Sequence, residues 1–500
     1  MSFRTRLWGQ IGKTALQGAK TTFATLPPLA PPPKAGLVPL EEAWGIAGTN
    51  VLIAQDLPNS IVPIPERVRQ AAVHFLLWLL PNNEKKTRWD KETATRELTA
   101  FMGIDVKPDM WKDWDSDEGW ARTLTQGPCA GDLKKEGDVW VVDCSVLGLA
   151  KMREGCAPLG VKVAVTVDES GVRPAWIQRQ DGTKVYPSEG EKWKVARMIA
   201  SAALHTWVSM VRHVLNLHYV AAQGLSILVH NHLPFDHPIH RLLWPHVAGT
   251  LAVNWGATRN FVGPNTIGVH NYAVSWEGWQ KLIPAGWGAF TWEDYDIPEV
   301  YARRGTDELI RKGLYPFGED ATLIWGVIRR YMDDYISQYY ADDAAIANDK
   351  VLQDAFVALD KVLPKPLRAT TRDELAHVLT RFVSMVSQEH KLVSGIAWDY
   401  FSNPYYFPTV AKEAATVEEA APFREEAEAN VMFRYAISAM CWGMMEDWTY
   451  VALDEKGKGA IRRFREALVE AGKEIDRRNT QRKWPFPHLH PSGLETSVAV

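Results

Sequence analysis

The sequence predicts a mainly α fold, a single large helical domain with a small β-sheet subregion set into it. Two observations carry this. From residue 191 onward, apolar side chains recur at helical spacing through four long stretches, whereas between residues 132 and 186 the pattern shifts to short runs rich in β-branched residues. Composition sets the frame: 500 residues with 46% hydrophobic, 23% charged and 11% aromatic side chains belong to a globular protein, neither disordered nor collagen-like.

Taken in order, residues 1–40 form a basic leader. They contain no Asp or Glu but carry Arg4, Arg6, Lys13, Lys20 and Lys34, and they close in a Pro-rich stretch at 27–33. No continuous apolar run marks them as a secretory signal. A floppy leader is the simplest reading; a transit peptide or a weak peripheral anchor to an anionic membrane is the alternative. Residues 68–80 read as an amphipathic helix stopped by Pro81. Val139–Asp143 and residues 161–167, bounded by Gly and Asp, read as strands. Helices are expected over 193–220, 323–340, 371–394 and 459–479, and the acidic run 418–428 as a solvated face or loop. Nothing marks a boundary between 41 and 500, so that span is expected to be one domain.

Several classes are excluded early. Fifty-six basic against sixty acidic side chains leave a net charge of -4, so no global basic field exists to hold nucleic acid. Cys129, Cys144, Cys156 and Cys441 form no CxxC pair and suggest neither a zinc site nor a disulfide framework; a reducing, cytoplasmic setting is expected. The longest apolar stretch, at 71–80, is far shorter than the roughly 20 residues a bilayer requires.

The histidines are the chemical signal. Eight of the chain's fourteen lie between His205 and His246, far more than even scatter would place there. Two readings fit: a metal site, or a buried polar network bracing the core. His213 and His218 are five residues apart, about 140° on an ideal α-helix, too far round to share a metal. An i→i+5 bulge would bring them onto nearly one face. His390 and Ser394, four apart, suit one face of an ordinary helix.

The stretch from His230 to His246 (HNHLPFDHPIHRLLWPH), followed by Gly249-Thr250 and Asn254, closely resembles the lipoxygenase signature, an HxxxxH ligand pair and then HLxxxHPxxxLLxPH. Trp193-Lys-Val-Ala-Arg197 is similar to the family's element twenty residues before the first ligand. Ser387-Gln-Glu-His390 resembles the third-ligand helix, and Ser497-Val-Ala-Val500 the terminus whose carboxylate binds iron. The likeness is close over 190–500 and loose over 40–190.

The resemblance implies one non-haem iron per chain, bound by His213, His218, His390 and the Val500 carboxylate, with Ser394 at a fifth position usually held by Asn or His. Manganese suits the same donors. It implies a dioxygenase that inserts O2 into a polyunsaturated fatty acid at a 1,4-pentadiene, a metal-bound hydroxide removing the hydrogen atom and a conjugated hydroperoxide resulting. No catalytic side chain is then expected beyond the metal's hydroxide. Ala257 falls where the family carries the residue associated with the face of oxygen entry, Ala accompanying S products, and Phe261 where a pocket Leu is common. His237 and His246 take supporting roles. Val208 and Ser209 replace a His-Gln pair, and Ala397 another Gln; these departures keep open a hydroperoxide isomerase or lyase, or an oxygenase of a non-lipid metabolite. The N-terminal lipid-binding β-barrel of plant and animal relatives has no room before His213.

Overall fold

The computed structural model describes residues 44–46, 49–51, 92–93, 96, 113, 115–168, 171–250, 253–254, 257, 261–263, 266–401, 403–437 and 443–498. The basic leader, the helix expected at 68–80, Cys441 and Val500 lie outside them.

Helices dominate, with the sheet inserted ahead of them. β1 (Trp44–Ile46) and β2 (Thr49–Val51) pair antiparallel. β3 (Lys134–Glu136), β4 (Val139–Asp143), β5 (Lys162–Asp168), β6 (Gly171–Gln178) and β7 (Lys184–Val185) form a five-stranded antiparallel meander in chain order. The tight β3–β4 turn uses Gly137 at φ 64, a left-handed conformation that glycine alone adopts without cost. β4 is the expected strand, and it reads as an apolar run because Trp140, Val141 and Val142 are all buried.

α1 (Asp117–Gln126) begins at Ser116, whose hydroxyl accepts from the Gly119 amide at 2.9 Å. It is tied to α2 (Glu191–Thr206) by two indole bonds, Trp120 Nε1 to Ser201 Oγ at 2.9 Å and Trp193 Nε1 to Asp117 Oδ1 at 2.8 Å. α2 runs without a break into a π-helical segment, Trp207–Ala222. Further helical turns carry the chain to His232, so the helix expected at 193–220 is one continuous rod, buried nearly all round over its second half.

α3 (Trp276–Ala289) packs on that rod, and α4 (Pro316–Tyr339) packs against both α6 (Arg372–Ser384) and α8 (Glu455–Asn479), with α5 (Lys350–Leu359) and α7 (Arg424–Ile437) completing the shell. α6 starts at a capping box between Thr371 and Glu374, then passes into a second π-helical segment, Met385–Glu389, and a last turn, His390–Val393. One apolar core extends from Trp120 to Leu494.

The acidic run 418–428 differs from expectation. Glu418 and Glu419 are exposed, but α7 begins inside the run, and Glu428 is buried against Arg424 at 3.0 Å. Charge density alone hides which acids face a partner. Among the described residues no helix is long and apolar enough to cross a membrane.

Candidate metal centre

The two π-helical segments bring three histidines together. With i→i+5 bonding, residues five apart nearly eclipse, and the Gln223 amide does reach back to the His218 carbonyl. His213 and His218 accordingly face the same way, their Nε2 atoms 3.0 Å apart. His390 closes the group from the other segment, its Nε2 3.0 Å from that of His213. This trio is the one potential metal-holding cluster of His, Cys, Asp and Glu side chains among the described residues.

The outer nitrogens fix which way the lone pairs point. His218 Nδ1 lies 2.8 Å from Asn254 Oδ1, and the Asn254 amide nitrogen donates to the His218 carbonyl at 2.9 Å and to Gln223 Oε1 at 3.0 Å. The oxygen of Asn254 therefore accepts, and His218 donates from Nδ1. His390 Nδ1 donates to the Glu495 carboxylate at 2.5 Å. In the neutral tautomer that these bonds select, the Nε2 atoms of His218 and His390 carry the lone pairs and face the centre of the trio, and carboxylate and amide partners on the far side are the usual means of orienting metal-binding imidazoles.

Ser394 ends the His390 helix, its amide donating to the His390 carbonyl at 2.8 Å. Its hydroxyl is buried and has no hydrogen-bond partner among the described residues. An orphaned buried hydroxyl costs about 1–3 kcal/mol, and one turn from His390 it suits direct or water-mediated contact with the ion. The histidine trio and this hydroxyl fit a bound metal.

The chain's end approaches the same place. His246 donates from Nδ1 to the Thr496 carbonyl at 2.8 Å, and Ser497 Oγ donates to the Ala248 carbonyl at 2.8 Å. Val498 packs with Ala222 and Val386, one from each π-helical segment. Val500 itself is outside the described residues, yet only two residues, about 7 Å of extended chain, separate it from Val498. His237 braces elsewhere, bonding Asp349, which also accepts from Tyr340.

Burial depresses the pKa of His246 to about 4, against an ordinary 6.5, and that of His240 likewise to about 4. The folded state thus resists a proton that the unfolded chain accepts. Stability from this source is complete above pH 6.5 and is lost as pH falls from there toward 4, by at most about 3 kcal/mol per group. For metal-free protein, the slope of stability against pH in this window is expected to flatten in His246→Gln; equal slopes would contradict it.

Asn254, Ala257 and Phe261 occupy successive turns beyond the signature; the Phe261 amide donates to the Ala257 carbonyl at 2.8 Å, and its ring meets Tyr272 edge-on at 6.2 Å. Ala257 and Phe261 are half-buried. Ser209 is buried four residues before His213, and Ala397 belongs to the helix Gly395–Phe401. Beside Arg212 is a cavity of about 330 Å³ of mixed lining, with Asp132, Lys134, Asp294 and Arg304 as well as Trp207 and Phe290 on its walls.

Three partners escaped sequence reasoning. Asn254 was visible as part of the signature but not as the His218 acceptor. Glu495, five residues from the end, gave no signal. The third is the Arg212–Glu389 ion pair, 2.8 Å long and buried, which joins the residues immediately before two of the ligands.

Comparison with known proteins bears on the family and the fold. A family model described as Lipoxygenase matches residues 168–441. A linoleate 9/13-lipoxygenase of Pseudomonas aeruginosa is 25% identical over 384 residues, 69% of this chain and 55% of that protein. A hydroperoxide isomerase of Rattus norvegicus is 25% identical over 323 residues, 59% of this chain and 45% of that protein. The chain thus spans about half the length of these curated relatives. The crystal structure of a coral 8R-lipoxygenase superposes with a TM-score of 0.77 at 18% identity, covering 86% of this chain and 72% of that one; at that identity it speaks for the fold.

Proposed function

Since the chain belongs to the lipoxygenase family, we propose that it is a non-haem iron dioxygenase acting on a polyunsaturated fatty acid. The observation that carries this reading is the convergence of three imidazole Nε2 atoms within 3.0 Å steps of one another, two of the rings being oriented from behind by Asn254 and Glu495. The chemistry a bound iron supplies is one-electron: removal of a hydrogen atom from the carbon between two cis double bonds, then O2 addition to give a conjugated hydroperoxide.

The chain's own residues hold and shape the site. His213, His218 and His390 bind the ion, Ser394 completes that side, and the Val500 carboxylate supplies an anionic donor. Asn254 and Glu495 hold two imidazoles in the binding tautomer. Manganese suits these donors as well, so metal analysis belongs in the first experiment. Ala257, one turn from Asn254, governs the face open to O2, and an S hydroperoxide is the expected product; an R product on chiral chromatography would contradict that assignment. A cytoplasmic setting, with peripheral membrane contact through the basic leader as the alternative, is supported by composition alone.

A second reading keeps fold and metal but makes the substrate a fatty-acid hydroperoxide, which the protein isomerises or cleaves. Ser209, Ala397 and Ser394, and the similarity to a hydroperoxide isomerase, keep it open. Oxygen uptake by metal-quantified protein given linoleate, with diene absorbance followed in parallel, separates the two. Uptake with diene growth at about one iron per chain supports dioxygenation. Metal without uptake, and consumption of a hydroperoxide supplied next, would establish the second reading.

A further inference from the structure

We propose that the Arg212–Glu389 ion pair positions the metal ligands by locking the two π-helical segments in one relative register. The inference rests on the metal reading above. Arg212 immediately precedes His213, and Glu389 immediately precedes His390, so a single bond, Arg212 Nη2 to Glu389 Oε2 at 2.8 Å, spans the segments beside the point where their imidazole nitrogens meet at 3.0 Å. Both charged side chains are nearly inaccessible, at 4% and 5%.

The guanidinium is held on its other sides as well. Asp132 lies 3.5 Å from Nη1, and the Tyr295 ring lies 4.8 Å from the guanidinium carbon. Gly131 closes against it: a Cβ there would come within 2.9 Å of Arg212 Nη2 and 3.5 Å of Glu389 Oε2. Tyr295 is in turn fixed by Asn216 from the same rod, at 2.9 Å. Turning or sliding either segment by one residue would break the pair and carry its histidine out of the trio.

Stability alone is a poor reason for the pair. Burying two charges costs as much as their attraction returns, and apolar replacements of similar size are often neutral. A planar, rigid fork on one segment and a carboxylate on the other define a distance and an orientation, which metal geometry requires.

The test is a triple substitution that removes every charge of this cluster with little change of volume, Asp132→Asn, Arg212→Met and Glu389→Gln, compared with Arg212→Lys and the unmodified chain. Each protein is loaded with ferrous iron and challenged with a chelator, and the thermal midpoint of its iron-free form is recorded. The expected result is iron loss at least about 10-fold faster in the triple variant, with the iron-free midpoint within a few degrees of the parent. Arg212→Lys, which keeps the charge but not the fork, should fall between them. Iron retention equal to the parent in both variants would overturn the proposal, as would faster loss only in proportion to a fallen midpoint. Should the triple variant not fold, retention in Arg212→Lys decides alone. An unmodified chain that holds neither iron nor manganese refutes the metal reading instead.

Discussion

Replacing His390 with alanine is expected to abolish iron binding and, with it, oxygen uptake. The substitution removes one of three convergent nitrogens and leaves the Glu495 carboxylate, 6% exposed, without the imidazole proton it accepts. Loss of an outer partner typically weakens metal binding by about 10–100-fold, and loss of a ligand should exceed that. Glu495→Gln, which keeps a hydrogen-bond acceptor but no charge, is the graded control and should fall within the 10–100-fold range. Metal content after dialysis and oxygen uptake with linoleate provide the readings, with circular dichroism to establish that the helices persist. A variant still carrying one iron per chain and active would remove His390 from the site.

The largest expected effect on stability is at Asp320, far from the metal. This carboxylate is fully buried and holds two guanidiniums against α4, Arg478 of α8 at 3.0 Å and Arg482, just past the end of α8, at 2.7 and 2.8 Å. Arg482 also reaches Glu319 at 2.5 Å. Asp320→Ala removes the one buried anion between these cations and leaves them only the part-exposed carboxylates of Glu474 and Glu319, a loss of about 3 kcal/mol. Asp320→Asn retains part of the hydrogen bonding and should cost about 1–3 kcal/mol. Denaturant unfolding of the iron-free proteins measures both. An Asp320→Ala midpoint equal to the parent's would mean that α4 and α8 are joined by their other contacts, such as the Tyr331–Phe464 stack at 4.3 Å and the Arg463–Asp334 pair at 2.8 Å.

The architecture was legible where periodicity is long. Residues 459–479 were read as a helix and are one, extended by a turn to Asp454, whose carboxylate caps it. Val139–Asp143 was read as a strand and is one. Within 371–394 the helical reading was correct, but the change to π-helical bonding at Met385 was not visible, because apolar spacing does not distinguish i→i+4 from i→i+5 over a single turn. The acidic run shows the complementary limit: Glu418 and Glu428 look alike in the sequence, and only packing buries the second.

The candidate site divides along the same line. The sequence by itself determined the candidate ligand types and their order, because the spacing of His213, His218 and His390 and the ordered motif from His230 to His246 are properties of the chain. It also determined the family through that order. The tertiary structure decided which nitrogens face inward, because tautomer and ring direction depend on partners distant in sequence: Asn254 lies 36 residues from His218, and Glu495 lies 105 residues from His390. It decided as well that His213 and His218 can act together, since five residues share a face only when the helix is unwound to the π form. That unwinding is held by burial and by the neighbouring segment, forces that no local stretch of sequence contains.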